Sequence, residues 1–248
     1  MNDFQNVDNL IFDAIKCLNS GEINKVSDFV ENILNNTNYF EAISKDNWQL
    51  FAHILLVSGK LKEAKEVYTK ASNIEGIIFA SILMRDLASA ELYLNKLSLS
   101  PASIWCRFLF ELFSVENKVK TWTKYFVIRQ FMEFTVYCLL LYKNNDYVQL
   151  LIKNLNKLSK INSDSEKLIG YAHFQFGLLD EAILFLSKAL KRDKFDGEIY
   201  YKLGQIYVAK NQLKEALAAL ENAKLFLPDH YATKALIEKI NSSLKNKL

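Results

Sequence analysis

Six residues recur at a single offset in the C-terminal half of the chain. Gly170 returns as Gly204, Leu179 as Leu213, Glu181 as Glu215, Ala182 as Ala216, Leu186 as Leu220 and Ala189 as Ala223, each 34 residues later. A fixed period of this size means one supersecondary unit repeated along the chain. Such units stack, because none of them buries its apolar face alone. The second part of each unit carries a helical stripe. Leu179, Ala182, Ile183, Leu186, Ala189 and Leu190 follow i, i+3, i+4, i+7 spacing, and Leu213, Ala216, Leu217, Leu220 and Ala223 repeat it. The small residues have a physical role. Ala182 and Ala189 lie seven apart on one face, where a neighbouring helix can come close, and Gly170 and Gly204 allow the same approach on the first helix of each unit. Gly177 and Asn211 fall between helical stretches, where a turn needs positive φ. Ser163 and Glu166 have the spacing of a capping box.

Composition agrees with a helical chain. The 248 residues include only 7 Gly and 2 Pro, too few for the frequent turns of a β-sandwich or barrel. Half the chain is hydrophobic and 24% is charged, which is ordinary for a globular protein. The net charge is +3, and the four arginines, Arg85, Arg107, Arg129 and Arg192, are scattered. That is not the concentrated basic stripe of a nucleic-acid binder, and the lysines at the end (Lys234, Lys239, Lys245, Lys247) read as a solvated helix face. The acidic, polar N-terminus does not read as a signal peptide. The most apolar stretch, Phe131 to Tyr142, is short and holds Glu133, so no membrane helix is expected. Cys17, Cys106 and Cys138 are expected to be reduced thiols of a cytoplasmic protein, with no metal ligation, since no Cys/His pair has ligand spacing. His53, His173 and His230 are isolated, and no phosphate-binding, zinc-protease or hydrolase motif occurs. No catalytic residue and no cofactor are therefore expected, and the chain does not read as an enzyme.

The repeated residues resemble the tetratricopeptide repeat family. Gly197–Pro228 supplies Tyr200, Leu203-Gly204, Tyr207, Asn211, Ala216, Leu220, Ala223 and Pro228 in that family's pattern. Ser163–Asp196 supplies Ile169-Gly170, Gly177, Ala182, Leu186 and Ala189, departing from it at Glu166 and Lys194, and puts His173 where a buried aromatic is usual. Residues 229 to about 245 look like the extra helix that covers the last repeat. Weaker copies occur earlier. Trp48, Phe51-Ala52, Leu55, Gly59, Leu61, Ala64, Tyr68 and Ala71 form one, 7–38 another with Ala14, Gly21, Val26, Val30 and Ile33, and 74–97 a third. Ser100-Pro101 reads as a helix start. Ala64 and Ala182 are not a whole number of periods apart, so something irregular lies between. The resulting division is 1–97 degenerate repeats, 98–160 an irregular aromatic-rich helical segment, and 161–248 two well-formed units with a capping helix.

The resemblance implies an all-α, right-handed superhelical solenoid of antiparallel helix pairs with a C-terminal capping helix and an irregular middle. It implies a concave groove lined by the first helix of each pair, taking a peptide or amphipathic helix of a protein partner. The groove positions are Lys167, Tyr171, Phe174 and Gln175 in one repeat, with Asp164, and Tyr201, Gln205 and Val208 in the next, with Glu198. Lys239 joins them from the capping helix, and Gln49, His53, Leu56 and Val57 are the equivalents in the first half. Tyr171, Phe174 and Tyr201 suit an aromatic groove floor, or equally packing between repeats. Some family members clamp a terminal carboxylate with Lys and Asn. Here Lys167 has Tyr171 four residues on, where Asn belongs, so that clamp is incomplete. The aromatics of 102–142 read either as the core of a degenerate repeat or as an exposed patch for self-association. The leading expectation is a non-catalytic scaffold or adaptor. A fixed structural subunit of a larger assembly and a chaperone for a secreted or membrane client are the alternatives.

Overall fold

A computed structural model describes residues 4–19, 23–35, 43–114, 119–121, 125–158 and 164–245. The described residues are helical, without strands. In order they are α1 (Phe4–Asn19), α2 (Ile23–Asn35), α3 (Trp48–Val57), α4 (Leu61–Lys70), α5 (Ile74–Leu83), α6 (Leu87–Leu94), α7 (Pro101–Phe113), α8 (Tyr125–Leu141), α9 (Asn145–Leu158), α10 (Asp164–Gln175), α11 (Leu179–Leu190), α12 (Gly197–Ala209), α13 (Leu213–Phe226) and α14 (Tyr231–Lys245).

Five turns between paired helices share one geometry. Gly59, Arg85, Lys143, Gly177 and Asn211 have φ of 80°, 61°, 57°, 84° and 57°. After each, the next N–H donates back to the carbonyl five residues earlier: Lys60 to Leu55, Asp86 to Ser81, Asn144 to Leu139, Leu178 to His173 and Gln212 to Tyr207, all at 2.8–2.9 Å. This is the Schellman closure, which satisfies the last carbonyls of one helix and points the chain into the next. Lys143, Gly177 and Asn211 follow one another at 34-residue intervals. The α8/α9 turn therefore falls on the same 34-residue sequence period as the turns of α10/α11 and α12/α13. Within 98–160 the departure from the repeat lies in α7, a helix with no partner hairpin among the described residues, and in the 17-residue length of α8.

The chain divides into two compact units. The first comprises 1–127 and 138–150, the second 128–137 and 151–248. In the first, the buried residues of α1 (Val7, Ile11, Ala14) and α2 (Val26, Val30, Ile33) form the expected stripes. Phe51, Ala52 and Leu55 of α3 and Ala64 of α4 are fully buried. Leu56 and Val57, mapped from sequence to the groove, belong to this core, and Tyr142 donates its hydroxyl to the Leu56 carbonyl. Two turns of this unit are tied together. Arg85 donates to Asn144 Oδ1 at 2.7 Å, pairs with Asp146 and lies 4.9 Å over the Tyr147 ring, while Asn144 Nδ2 donates to the Leu83 carbonyl. Ser100 caps α7 by accepting the Ser103 N–H, with Pro101 at the first helical position as the sequence indicated.

The aromatic stretch divides between core and surface. Trp105, Phe108 and Phe113 are buried and Phe113 stacks on Tyr147, whereas Phe126 is half exposed. Trp122 lies outside the described residues. Cys106 and Cys138 are buried free thiols, and burial pushes both well above the usual thiol range.

In the second unit, α11, α12 and α13 share a core of Ala182, Leu186, Ala189, Ile199, Leu203, Ile206 and Ala219. A second core joins α13 to α14 through Ala216, Leu220, Ile237 and Ile240. The small residues act as the sequence suggests. A Cβ at Gly170 would sit 2.8 Å from the Leu186 side chain, and one at Gly204 would sit 2.5 Å from Leu220. These pairs are the same contact repeated 34 residues on. His173 is buried, its Nδ1 2.8 Å from the Ile169 carbonyl and its ring against Phe185, so it fills a core position. Ser163 lies outside the described residues. Glu166, its expected capping partner, is buried and pairs with Arg192 at 2.8 Å.

Candidate functional site

Helices α12 and α14 of the second unit border an open recess of 460 Å³. Tyr201, Gln205 and Val208 line it from α12, spaced four and three apart so that all lie on one helix face. Tyr231, Ala232, Ala235, Leu236 and Lys239 line it from α14. The walls are mostly apolar, with a few polar groups at set places. Gln205 Nε2 donates to the Tyr201 hydroxyl at 3.1 Å, and Gln205 Oε1 is buried with no hydrogen-bond partner. Tyr201 is held edge-on by His230, 4.6 Å between ring centres, and His230 in turn meets Thr233 at 2.7 Å. Lys239 stands exposed at the edge, and Tyr231 is 81% exposed. A mostly apolar hollow edged by an exposed phenol and one cation suits an apolar segment with an acidic group beside it.

The groove positions of α10, with Glu198 of α12, do not line this recess. They form a second cluster where α10 meets α12 and the middle of α8. Lys167 is buried and bridges Asp196 Oδ2 at 2.8 Å and Glu198 Oε2 at 2.6 Å. Asp196 also caps α12, accepting the N–H groups of Glu198 and Ile199. Tyr171 and Phe174 pack against the α11–α12–α13 core, and the Lys202 ammonium lies 5.1 Å from each ring centre. Gln175 is exposed and donates to Glu133 Oε1 at 2.6 Å. Asp164 lies 3.8 Å from Arg129. Spacing on one helix brings Tyr201, Gln205 and Val208 together, and Lys239 of the capping helix lines the same recess. Spacing misses Lys202, one residue from Tyr201, because it does not reveal which neighbouring rings a lysine stem will lie across.

Burial dominates the electrostatics of this cluster. It lowers Lys202 below the ordinary lysine range and raises Glu133 above the ordinary carboxyl range, and their mutual attraction offsets each shift only in part. Burial also pulls on Lys167, but the hydrogen bonds and charges of Asp196 and Glu198 outweigh it and hold its pKa above 10.5. Burial, with the nearby acids Glu198, Asp196, Glu133 and Asp164, pushes the Tyr171 phenol far up, so it stays neutral. Lys167→Met is expected to cost about 2 kcal/mol at neutral pH, the scale of hydrogen bonds to a charged group. Because the folded pKa lies above 10.5, this advantage of the wild type is fully present below 10.5 and fades as pH rises past it. Urea melts of both proteins at pH 7 and above pH 10.5 measure it.

Among the described residues, no group of three or more His, Cys, Asp or Glu could hold a metal ion. No helix among them is long and apolar enough to cross a membrane.

Residues 173–240 match the tetratricopeptide repeat family. No curated protein matches the chain. Solved structures similar to it include the APC/C hetero-tetramer Cut9–Hcn1, at 16% identity over 96% of this chain and 46% of that one, with a TM-score of 0.36. They also include a tetratricopeptide repeat protein from Parabacteroides merdae, at 14% identity over 95% of this chain and 99% of that one, with a TM-score of 0.36. The chain thus spans less than half the length of the first of these.

Proposed function

We propose that the tetratricopeptide repeats of this chain act as a non-catalytic scaffold or adaptor that takes a short apolar or amphipathic segment of a partner protein into the α12–α14 recess. Repeats of this family generally mediate protein–protein interaction and are generally not catalysts. The observation that carries the reading is the mostly apolar recess between α12 and α14, edged by the exposed Tyr231 and Lys239. The exposed Tyr231 ring gives the segment an apolar face to cover, and Lys239 favours an acidic residue beside it. In this reading the Lys167 and Lys202 cluster holds α10, α12 and α8 at a fixed spacing and so sets the shape of the surface beside the recess.

Selection from a displayed random-peptide library tests it. Wild-type protein is expected to enrich peptides sharing apolar anchors at helical or extended spacing with an acidic residue nearby. Tyr231→Ser and Lys239→Glu alter exposed side chains and leave the fold intact, and each is expected to weaken the selected peptides about ten-fold or more. Peptides that bind both variants as well as wild type would move the site elsewhere.

A further inference from the structure

The connection between α11 and α12 carries a surface the recess does not use. Every residue from Lys191 to Phe195 is exposed. Phe195 is 73% exposed, yet its position is fixed. Its N–H donates to Asp193 Oδ1 at 3.0 Å, and its ring stands edge-on to Phe226 with centres 5.5 Å apart. Leu225, next to Phe226, is 70% exposed. Lys188 follows Leu184 at i+4 on the exposed face of α11, Lys191 caps the end of that helix, and Lys194 precedes Phe195. Lys188, Lys191 and Lys194 make no ion pair among the described residues, and Lys188 lies 5.1 Å over the Phe185 ring. Asp193 is the one acid from 188 to 195, and it is engaged with the Phe195 backbone.

We propose that this corner docks on an anionic phospholipid surface, with Phe195 and Leu225 entering the interface and Lys188, Lys191 and Lys194 lying among the headgroups. Large apolar side chains presented on an exposed loop and flanked by cations need no complementary pocket at a bilayer interface. A folded protein partner would have to supply one. The lysine stems are long enough to keep their charges at headgroup level while the rings sink below. Attraction to an anionic leaflet falls by about five-fold in binding for each lysine removed and is screened by salt. The resulting attachment is weak and reversible, a second tether beside whatever the recess holds.

Co-sedimentation with vesicles tests the proposal. Vesicles of phosphatidylglycerol and phosphatidylcholine in equal parts are expected to retain the protein at low salt and release it at high salt, and phosphatidylcholine alone is not expected to retain it. Phe195→Ser is expected to lower binding about ten-fold or more, and Lys191→Glu with Lys194→Glu about 25-fold or more. Circular dichroism confirms that these exposed substitutions leave the fold unchanged. Tyr231→Ser and Lys239→Glu are expected to keep vesicle binding, which separates this surface from the recess. No retention on anionic vesicles, equal retention on neutral ones, or retention unchanged in the Phe195 and lysine variants would each overturn the proposal. So would cross-linking from position 195 to an acidic protein in place of lipid.

Discussion

Alanine at Gly204 is expected to destabilise the protein by about 1–3 kcal/mol, the cost of overpacking, and to stabilise it once Leu220 has also been cut back to alanine. The added Cβ would stand 2.5 Å from Leu220 Cδ2 and 2.6 Å from its Cγ, and Leu220 is fully buried, with little room to turn away. Leu220→Ala alone opens a cavity between α13, α12 and α14 and is expected to cost about 2–5 kcal/mol. In that background the Gly204 methyl enters free space, and alanine in place of glycine inside a helix is worth about 1 kcal/mol. Urea denaturation of the four proteins closes the cycle. The prediction is a change of sign for Gly204→Ala between the two backgrounds, and additive costs would contradict the close approach of α12 and α13.

Phe51→Ala is expected to cost about 3–5 kcal/mol. Phe51 is among the largest fully buried side chains and sits on α3, in one of the weaker repeat copies. Phe12→Ala, where the ring is half exposed, is expected to change stability by no more than about 0.5 kcal/mol. Denaturation curves for the two variants measure the contrast. A cost at Phe51 near that at Phe12 would mean that α3 and α4 do not pack as a repeat does.

Most of the second unit is legible in its residues, because the features that recur are the ones packing demands. Gly170 and Gly204 mark where helices touch, Gly177 and Asn211 mark left-handed turns, and the last helix follows Pro228. The α8/α9 pair escapes the same reading. Its turn residue is Lys143, which reaches positive φ without being Gly or Asn. The positions 34 residues before Gly170 and Ala182 are Val136 and Val148, both buried. Larger residues there preserve the register while erasing the small-residue pattern that reveals it. Arg85 conceals the α5/α6 turn in the same way.

The candidate site is legible in part for a related reason. Helical spacing fixes which residues of α12 share a face, so Tyr201, Gln205 and Val208 come together. Spacing within one helix does not tell which cation a neighbouring acid will claim. Lys167 has the right position for a groove but is held by Asp196 and Glu198, residues of the following repeat. The recess depends on α14 lying beside α12, which no pattern within either helix encodes.

The most direct test of the central claim is site-specific photo-cross-linking from position 231 at the edge of the recess. With a photoreactive phenylalanine analogue in place of Tyr231, the account predicts a discrete cross-link to a protein segment with apolar anchors and an acidic neighbour. It also predicts that Lys239→Glu abolishes that cross-link, while the same probe at the exposed Leu92 of the first unit gives none. A cross-link that survives Lys239→Glu, or one that forms equally from position 92, would contradict the assignment of the α12–α14 recess as the partner site.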